Sequence, residues 1–322
     1  MTLRLIDCSN KELWDSLVRD SPQGSIFCRT PFLDALGEDY DLLVVEDDGE
    51  PQLGGLVIKH DGQPIRSPYP FTLYQGVLLS GGLAKLPQHR RILRTLEVTD
   101  FLLAQLELRY PRLMFCMHYR FPDLRSFLWF HYHQPHRGQF KVELQYTGLV
   151  DLTHWTDFDH YLASLRRVRR QEYRYAKDRG FRLEPSTDIE LLDRLNELTF
   201  QRQGIERDPH EVRLLRSITR AALERGFGEL LVCKDENDFI ASAILVLDDE
   251  RCTYALAAGN HPDDRKGCGG IFTFLETIRR GSEKGLATLD FLGVNSPKRG
   301  DFKTSLNAVP TPYFIVTWES PT

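Results

Sequence analysis

The residues with the clearest chemical potential lie in the last third of the chain. His261-Pro262-Asp263-Asp264-Arg265-Lys266-Gly267-Cys268-Gly269-Gly270 sets glycines and two cations between a predicted strand and a predicted helix. Glycines let a backbone turn sharply and bring its N–H groups close to a phosphate, and a helix N-terminus adds partial positive charge. Arg265, Lys266, Gly267, Gly269 and Gly270 are therefore candidates for holding a pyrophosphate such as that of coenzyme A; the alternative is an ordinary glycine-rich loop before a helix. No Gly-Lys-Ser/Thr follows and no Gly-x-Gly-x-x-Gly is present, so the nucleotide loops with those spacings are excluded.

Asp290-Phe291-Leu292-Gly293-Val294-Asn295 ends a predicted strand and is followed by Gly300-Asp301-Phe302-Lys303-Thr304. A strand that ends in glycine and polar residues often opens into a site in α/β proteins. Asp290 can take a proton there, and Lys303 beside Phe302 can offer a cation to an oxyanion or a phosphate. The competing reading of Lys303 is an exposed loop lysine. Arg202 and Gln203 stand at a predicted helix end, facing either a cleft or solvent. Leu165 to Arg174 is strongly basic and interleaved with Tyr173, a pattern that suits an RNA backbone, a phosphorylated acceptor or simply a solvated face. His131 and His133 have a spacing that can bind metal but supply no third ligand on their strand face, and with His136 they sit among aromatics, so packing or substrate lining is the expected role and no metal is expected.

These segments need a scaffold. The periodicity predicts a helix over Ser9–Arg19, two strands over Leu42–Glu46 and Leu53–Lys59 joined by a tight turn, a helix over Arg90–Tyr110, and strands over Arg112–His118 and Lys141–Leu152. The second half repeats the pattern. Helices are predicted over His160–Arg179, Ile189–Gln203, Glu211–Gly226 and Gly270–Lys284. Strands are predicted over Leu230–Cys233, Ile240–Leu247, Cys252–Ala257, Ala287–Leu292 and Tyr313–Trp318. Two mixed α/β (α+β) halves follow, residues 1–150 and 151–322, the second carrying the glycine-rich segment.

Composition bounds the function. At roughly 150 residues per domain, 322 residues suggest two domains. The hydrophobic share is 41% and the net charge −5, which excludes a protein that coats nucleic acid through a broad basic surface but leaves room for a local basic groove. The six cysteines show no zinc or disulfide spacing, no signal peptide is visible at Met1–Asp15, and no apolar run reaches about 18 residues. A cytoplasmic protein with no membrane span is expected. Nothing in the sequence fixes an oligomeric state.

Taken in order, six segments resemble the Fem-like branch of the GNAT N-acyltransferases. Thr72-Leu73-Tyr74-Gln75-Gly76 resembles that branch's "TxYxG" segment, and Asp123 to Trp129 resembles "PFxW". Arg166 to Lys177 resembles "RRxIRKAEK", and Phe200 to Ile205 resembles "FxRQG". Tyr254 to Gly259 with Arg265 to Gly269 resembles "YxxxGGxxPxxRxxGA", and Asp290 to Gly293 with Phe302-Lys303 resembles "DFEGS…FKxxFG". The resemblance implies two tandem GNAT-like halves with an acceptor cleft between them, and transfer of an acyl or aminoacyl group to an amine. It places Tyr74, Gln75, Arg202, Gln203, Tyr254, Asn295 and Phe302 toward substrate and Lys303 near the reacting carbonyl. Where "EGS" is usual this chain has Leu292-Gly293-Val294-Asn295, and Gly267-Cys268-Gly269-Gly270 is more glycine-rich than in the tRNA-dependent members.

The expected reaction is amide formation on a primary amine of an amino sugar, peptide or small intermediate, with acyl-CoA as the first-ranked donor. Aminoacyl-tRNA is the alternative co-substrate, in which case tRNA is a partner. No permanently bound cofactor is expected. A catalytically silent ligand-binding protein is the reading from another class.

Overall fold

A computed structural model describes residues 2–264, 268–295 and 302–321. Two compact units emerge: residues 1–145 with 312–322, and residues 146–311.

The first unit opens with strand β1 (Leu3–Asp7) and helix α1 (Lys11–Asp20), capped by Asn10, whose side chain accepts the Leu13 amide. Such a cap satisfies one of the orphan N–H groups of the first turn. After α2 (Thr30–Leu36), the strands β2 (Asp39–Asp47) and β3 (Glu50–His60) form the hairpin that the Asp48-Gly49 turn predicts. Short β4 (Gln63–Pro64) and β5 (Val77–Leu79) complete an antiparallel sheet of order β1-β2-β3-β4, with β5 also on β3. Then come α3 (Gly81–Ala84), the long α4 (Gln88–Arg109), β6 (Arg112–Met117) and α5 (Arg125–Leu128). Leu43, Val45, Leu53, Val57, Leu102 and Leu106 make the heart of this core. Burying each such side chain contributes roughly 1.5–3 kcal/mol.

Strand β7 (Lys141–Asp151) leads into the second unit. There follow α6 (Phe158–Ser164), α7 (Arg167–Asp178), β8 (Arg182–Ser186), α8 (Ile189–Gln201) and α9 (Pro209–Arg225). Strands β9 (Gly228–Lys234), β10 (Ile240–Asp248) and β11 (Cys252–Asn260) form a meander; α10 (Cys268–Glu283) then crosses to β12 (Thr288–Asp290). Within this unit the strand order is β7-β12-β11-β10-β9-β8, and only β11 and β12 run parallel. The final strand, β13 (Val309–Glu319), returns to the first unit and pairs antiparallel with β6.

Two expectations change. The partition 1–150 and 151–322 gives way to a division at 145/146 with residues 312–322 in the first unit, where the last strand pairs antiparallel with β6 over Phe314–Glu319. The single helix expected over His160–Arg179 is two helices. Leu165 adopts an extended conformation (ψ 158°) and is buried beside Leu152 and Tyr161, while Ser164 Oγ bonds the Tyr161 carbonyl at 2.6 Å. Driving Leu165 into the core outweighs continuing the helix, and α7 restarts with its arginines outward. Strands β1, β4, β5 and β8 were not foreseen in the sequence. Among the described residues no helix is long and apolar enough to cross a membrane.

Candidate active site

The second unit's sheet forks. β12 pairs with β11 over only Cys252–Thr288, Thr253–Leu289 and Tyr254–Asp290. Beyond Tyr254, β11 runs on to Asn260 while β12 ends at Asp290. The mouth of this fork lies at the carboxyl ends of two parallel strands, where α/β proteins bind ligands.

One side of the mouth is the turn after β12. Asp290 is fully buried; its Oδ1 accepts the Thr147 hydroxyl and the Leu292 amide, the latter at 2.8 Å. Leu292 and Gly293 both have positive φ (52° and 89°). For a leucine that conformation is uncommon and is held by its surroundings. Beyond it the chain pairs again with β7: Val294 N donates to Tyr146 O at 3.0 Å and Asn295 Oδ1 accepts Tyr146 N at 2.8 Å. Lys303 fastens the turn from inside. Its Nζ donates to the carbonyls of Phe291 and Gly293 at 2.6 Å each, and sits 3.5 Å from that of Leu292. The exposed-lysine reading is thereby set aside: Lys303 is half-buried and its charge is fixed against the carbonyls that end β12.

The other side of the mouth is the far part of β11. Helix α8 presses on it so closely that a Cβ on Gly259 would come within 2.3 Å of the Leu195 carbonyl carbon. Asn196 Nδ2 donates to Ala258 O at 3.0 Å, and Thr199 Oγ1 accepts Asn260 N at 3.0 Å. Two backbone groups of β11 past the fork are thus already satisfied by α8.

The expected phosphate cradle looks different from the sequence reading. Arg265, Lys266 and Gly267 lie outside the described residues. Gly269 and Gly270 belong to the first turn of α10 rather than to a loop. A Cβ on Gly269 would meet Ala241 Cβ at 2.4 Å, and one on Gly270 would meet Asn260 Oδ1 at 2.7 Å. These glycines let α10 approach the sheet. The N-terminus of α10 is itself occupied: Asp264 Oδ2 accepts the Gly269 amide at 2.8 Å. Burial pushes the Asp264 carboxyl above its usual range despite that bond. A carboxylate thus already holds the position where an anion would profit from the helix end.

The remaining expected residues divide. Phe302 joins the fork region, its ring 5.4 Å from that of Phe274 and 5.2 Å below the Arg169 guanidinium. Asn295 is exposed at the turn, and Arg202 and Gln203 are exposed past the end of α8. Tyr254 is only 2% exposed; its hydroxyl donates to Asp249 Oδ2 at 2.7 Å in the β10–β11 turn, and burial pushes it well above the ordinary phenol range. It braces the hairpin and offers substrate no surface. Tyr74 and Gln75 are buried inside the first unit, Tyr74 among Phe27, His118, Tyr119 and Tyr313. His131 is held by Gly138 O and Glu107. Among the described residues no group of three or more His, Cys, Asp or Glu could hold a metal ion. Thr147, Asn196, Thr199 and Asp264 escaped the site prediction; a single Thr or Asn in a helix or strand carries no signal, and Asp264 was masked by the cations after it.

Residues 163–304, which contain the fork, match the family described as acetyltransferase (GNAT) domain. No curated protein matches the chain. Among solved structures, FemX is similar with a TM-score of 0.71 at 14% identity, covering 98% of this chain and 97% of that one. A tandem GNAT protein from the clavulanic acid biosynthesis pathway gives 0.55 at 13% identity, with 100% and 99% covered. L-PGS from Bacillus licheniformis gives 0.54 at 14%, with 95% and 91% covered. Residues 163–304 thus carry a GNAT acetyltransferase domain in the second unit, and the chain as a whole shares its fold with FemX and with a tandem GNAT protein.

Proposed function

We propose that the fork forms an amide by passing an aminoacyl group from an aminoacyl-tRNA directly to a primary amine. The amine nitrogen attacks the ester carbonyl, the bond to the ribose oxygen breaks, and the proton lost by the amine ends on that leaving oxygen. No acyl-enzyme is needed, and the six cysteines are buried. Such chemistry requires alignment of the two reactants and polarisation of the carbonyl. Lys303 supplies a fixed positive charge at the end of β12, where negative charge develops on the carbonyl oxygen. Asp290 is committed to Thr147 and Leu292 and acts by holding the turn.

The observation that carries the choice of donor is the Asp264–Gly269 contact of 2.8 Å. The glycine-rich sequence ranks acyl-CoA first; a carboxylate already on the α10 N-terminus reverses that order, because it meets an incoming pyrophosphate with like charge. The capping of β11 by Asn196 and Thr199 supports the same reading, since an extended thioester arm would compete for those backbone groups. The test is transfer from charged tRNA and from acetyl-CoA to a panel of primary amines, followed by mass spectrometry of the product. An amide product from charged tRNA is expected.

A further inference from the structure

Helix α7 borders both ends of the fork. At its start, Arg169 Nε donates to Ser305 Oγ at 2.8 Å, next to Phe302 and Lys303. Along its length Tyr173 stacks on Phe272 of α10 at 5.5 Å and donates to Glu276 at 2.5 Å. Just past its end, Arg179 is close enough to Asp264 to act on that carboxyl.

The exposed side of this helix is a row of cations. At about 100° per residue, Arg167, Arg170, Arg174 and Lys177 fall within an arc of about 80°. Arg169, Glu172, Tyr173 and Ala176, the buried or half-buried positions, lie opposite. Arg166 precedes the row, and the acid Asp178 closes it. Arg167, Arg170, Arg174 and Lys177 are all exposed, and none is ion-paired among the described residues. The row spans about 15 Å. An unneutralised row of this kind in a chain of net charge −5 is not explained by general basicity.

We propose that this face of α7 binds the sugar-phosphate backbone of RNA and holds the tRNA donor across the fork; the assignment rests on the donor reading above. A chain of regularly spaced phosphates matches a linear row of guanidinium groups, each able to grip a phosphate with two donors. A membrane surface fits less well: the apolar side of α7 is spent on α10, and only Val168 and Tyr175 among its apolar residues are exposed. Tyr175, 63% exposed, offers a ring for a base to stack on.

The test compares wild-type protein with Arg170→Gln/Arg174→Gln and with a control of equal charge change on exposed α9 positions, Arg213→Gln/Arg220→Gln. Affinity for uncharged tRNA is measured by fluorescence anisotropy across a salt series, and folding by thermal denaturation. The α7 variant should lose on the order of ten- to a hundredfold in affinity at 0.1 M salt, and the slope of log affinity against log salt should shrink by about 1.5–2. The control should bind like wild type. Equal binding by a folded α7 variant overturns the surface and leaves the donor reading standing. Wild-type protein that ignores tRNA overturns it too, as does α7-dependent binding to anionic phosphatidylglycerol vesicles in place of RNA. The donor reading fails by a separate route, amide formation from acetyl-CoA with none from charged tRNA.

Discussion

Lys303 Nζ and the carbonyl oxygen of Gly293 lie 2.6 Å apart, across a turn in which Gly293 has φ of 89°. Together with the Phe291 contact, this makes Lys303 both a clamp on the β12 exit and a positioned charge. Lys303→Ala should therefore lose in two measurements at once. Transfer should slow by roughly a hundredfold, as for removal of one oxyanion-stabilising group. Stability should drop by about 1–3 kcal/mol, as carbonyls lose a charged partner. Lys303→Arg should recover part of the rate, because the charge returns with a different donor geometry. Wild-type turnover in a folded Lys303→Ala protein, by steady-state kinetics, removes Lys303 from the chemistry.

Gly269 is a packing glycine. An added methyl group would stand 2.4 Å from Ala241 Cβ, and Ala241 is fully buried in the sheet. Gly269→Ala should cost about 1–3 kcal/mol by denaturant titration. A side chain there should thus weaken the fold along with any ligand site. Unchanged stability would show that α10 can move away from β10.

The thiols should be inert. Cys8, Cys28, Cys116, Cys233, Cys252 and Cys268 are all buried, and burial pushes Cys116 and Cys233 up to about 12. Reactivity follows thiolate content and access. A thiol-reactive dye should label none of the six in native protein and all six after unfolding, and Cys268→Ser should keep most transfer activity. An acyl adduct on Cys268 would contradict direct transfer.

Asp264 gives a pH dependence. Burial raises its carboxyl above the ordinary range. The folded state therefore holds that proton more tightly than the unfolded chain, so the contribution is complete at pH below the ordinary carboxylate range. It is lost as pH rises through the raised value. Asp264→Asn keeps an acceptor for Gly269 and has no proton to lose. Its stability relative to wild type should therefore improve between acid and neutral pH, measured as the difference in thermal midpoints. A difference that stays flat with pH would show that Asp264 is not strained by burial.

Much of this architecture was legible from periodicity. The hairpin of β2 and β3, the long α4 and the meander of β9, β10 and β11 stand where the sequence predicts, because alternation and turn residues act locally. The break at Leu165 was not legible, since one buried leucine decided it through tertiary packing. The placement of β13 on β6 was not legible either, because pairing across some two hundred residues leaves no local mark. At the fork, Asp290, Lys303 and Phe302 were singled out from strand-end chemistry and motif order. The partners of Lys303 were not legible, because its carbonyl acceptors lie ten to twelve residues away. Asp264 was the costliest omission: an acid next to Arg265 and Lys266 reads as part of a charged loop until its contact with Gly269 is seen.

The donor proposed for the fork is aminoacyl-tRNA and not acyl-CoA. The most direct measurement is the thermal stability of the wild-type protein titrated with acetyl-CoA and, separately, with a non-hydrolysable aminoacyl-tRNA analogue. A donor at about a hundred times its dissociation constant adds about 2.7 kcal/mol to stability. The account predicts that rise with the tRNA analogue and no rise with millimolar acetyl-CoA. Stabilisation by acetyl-CoA with Asp264 in place, and none by the tRNA analogue, would contradict it.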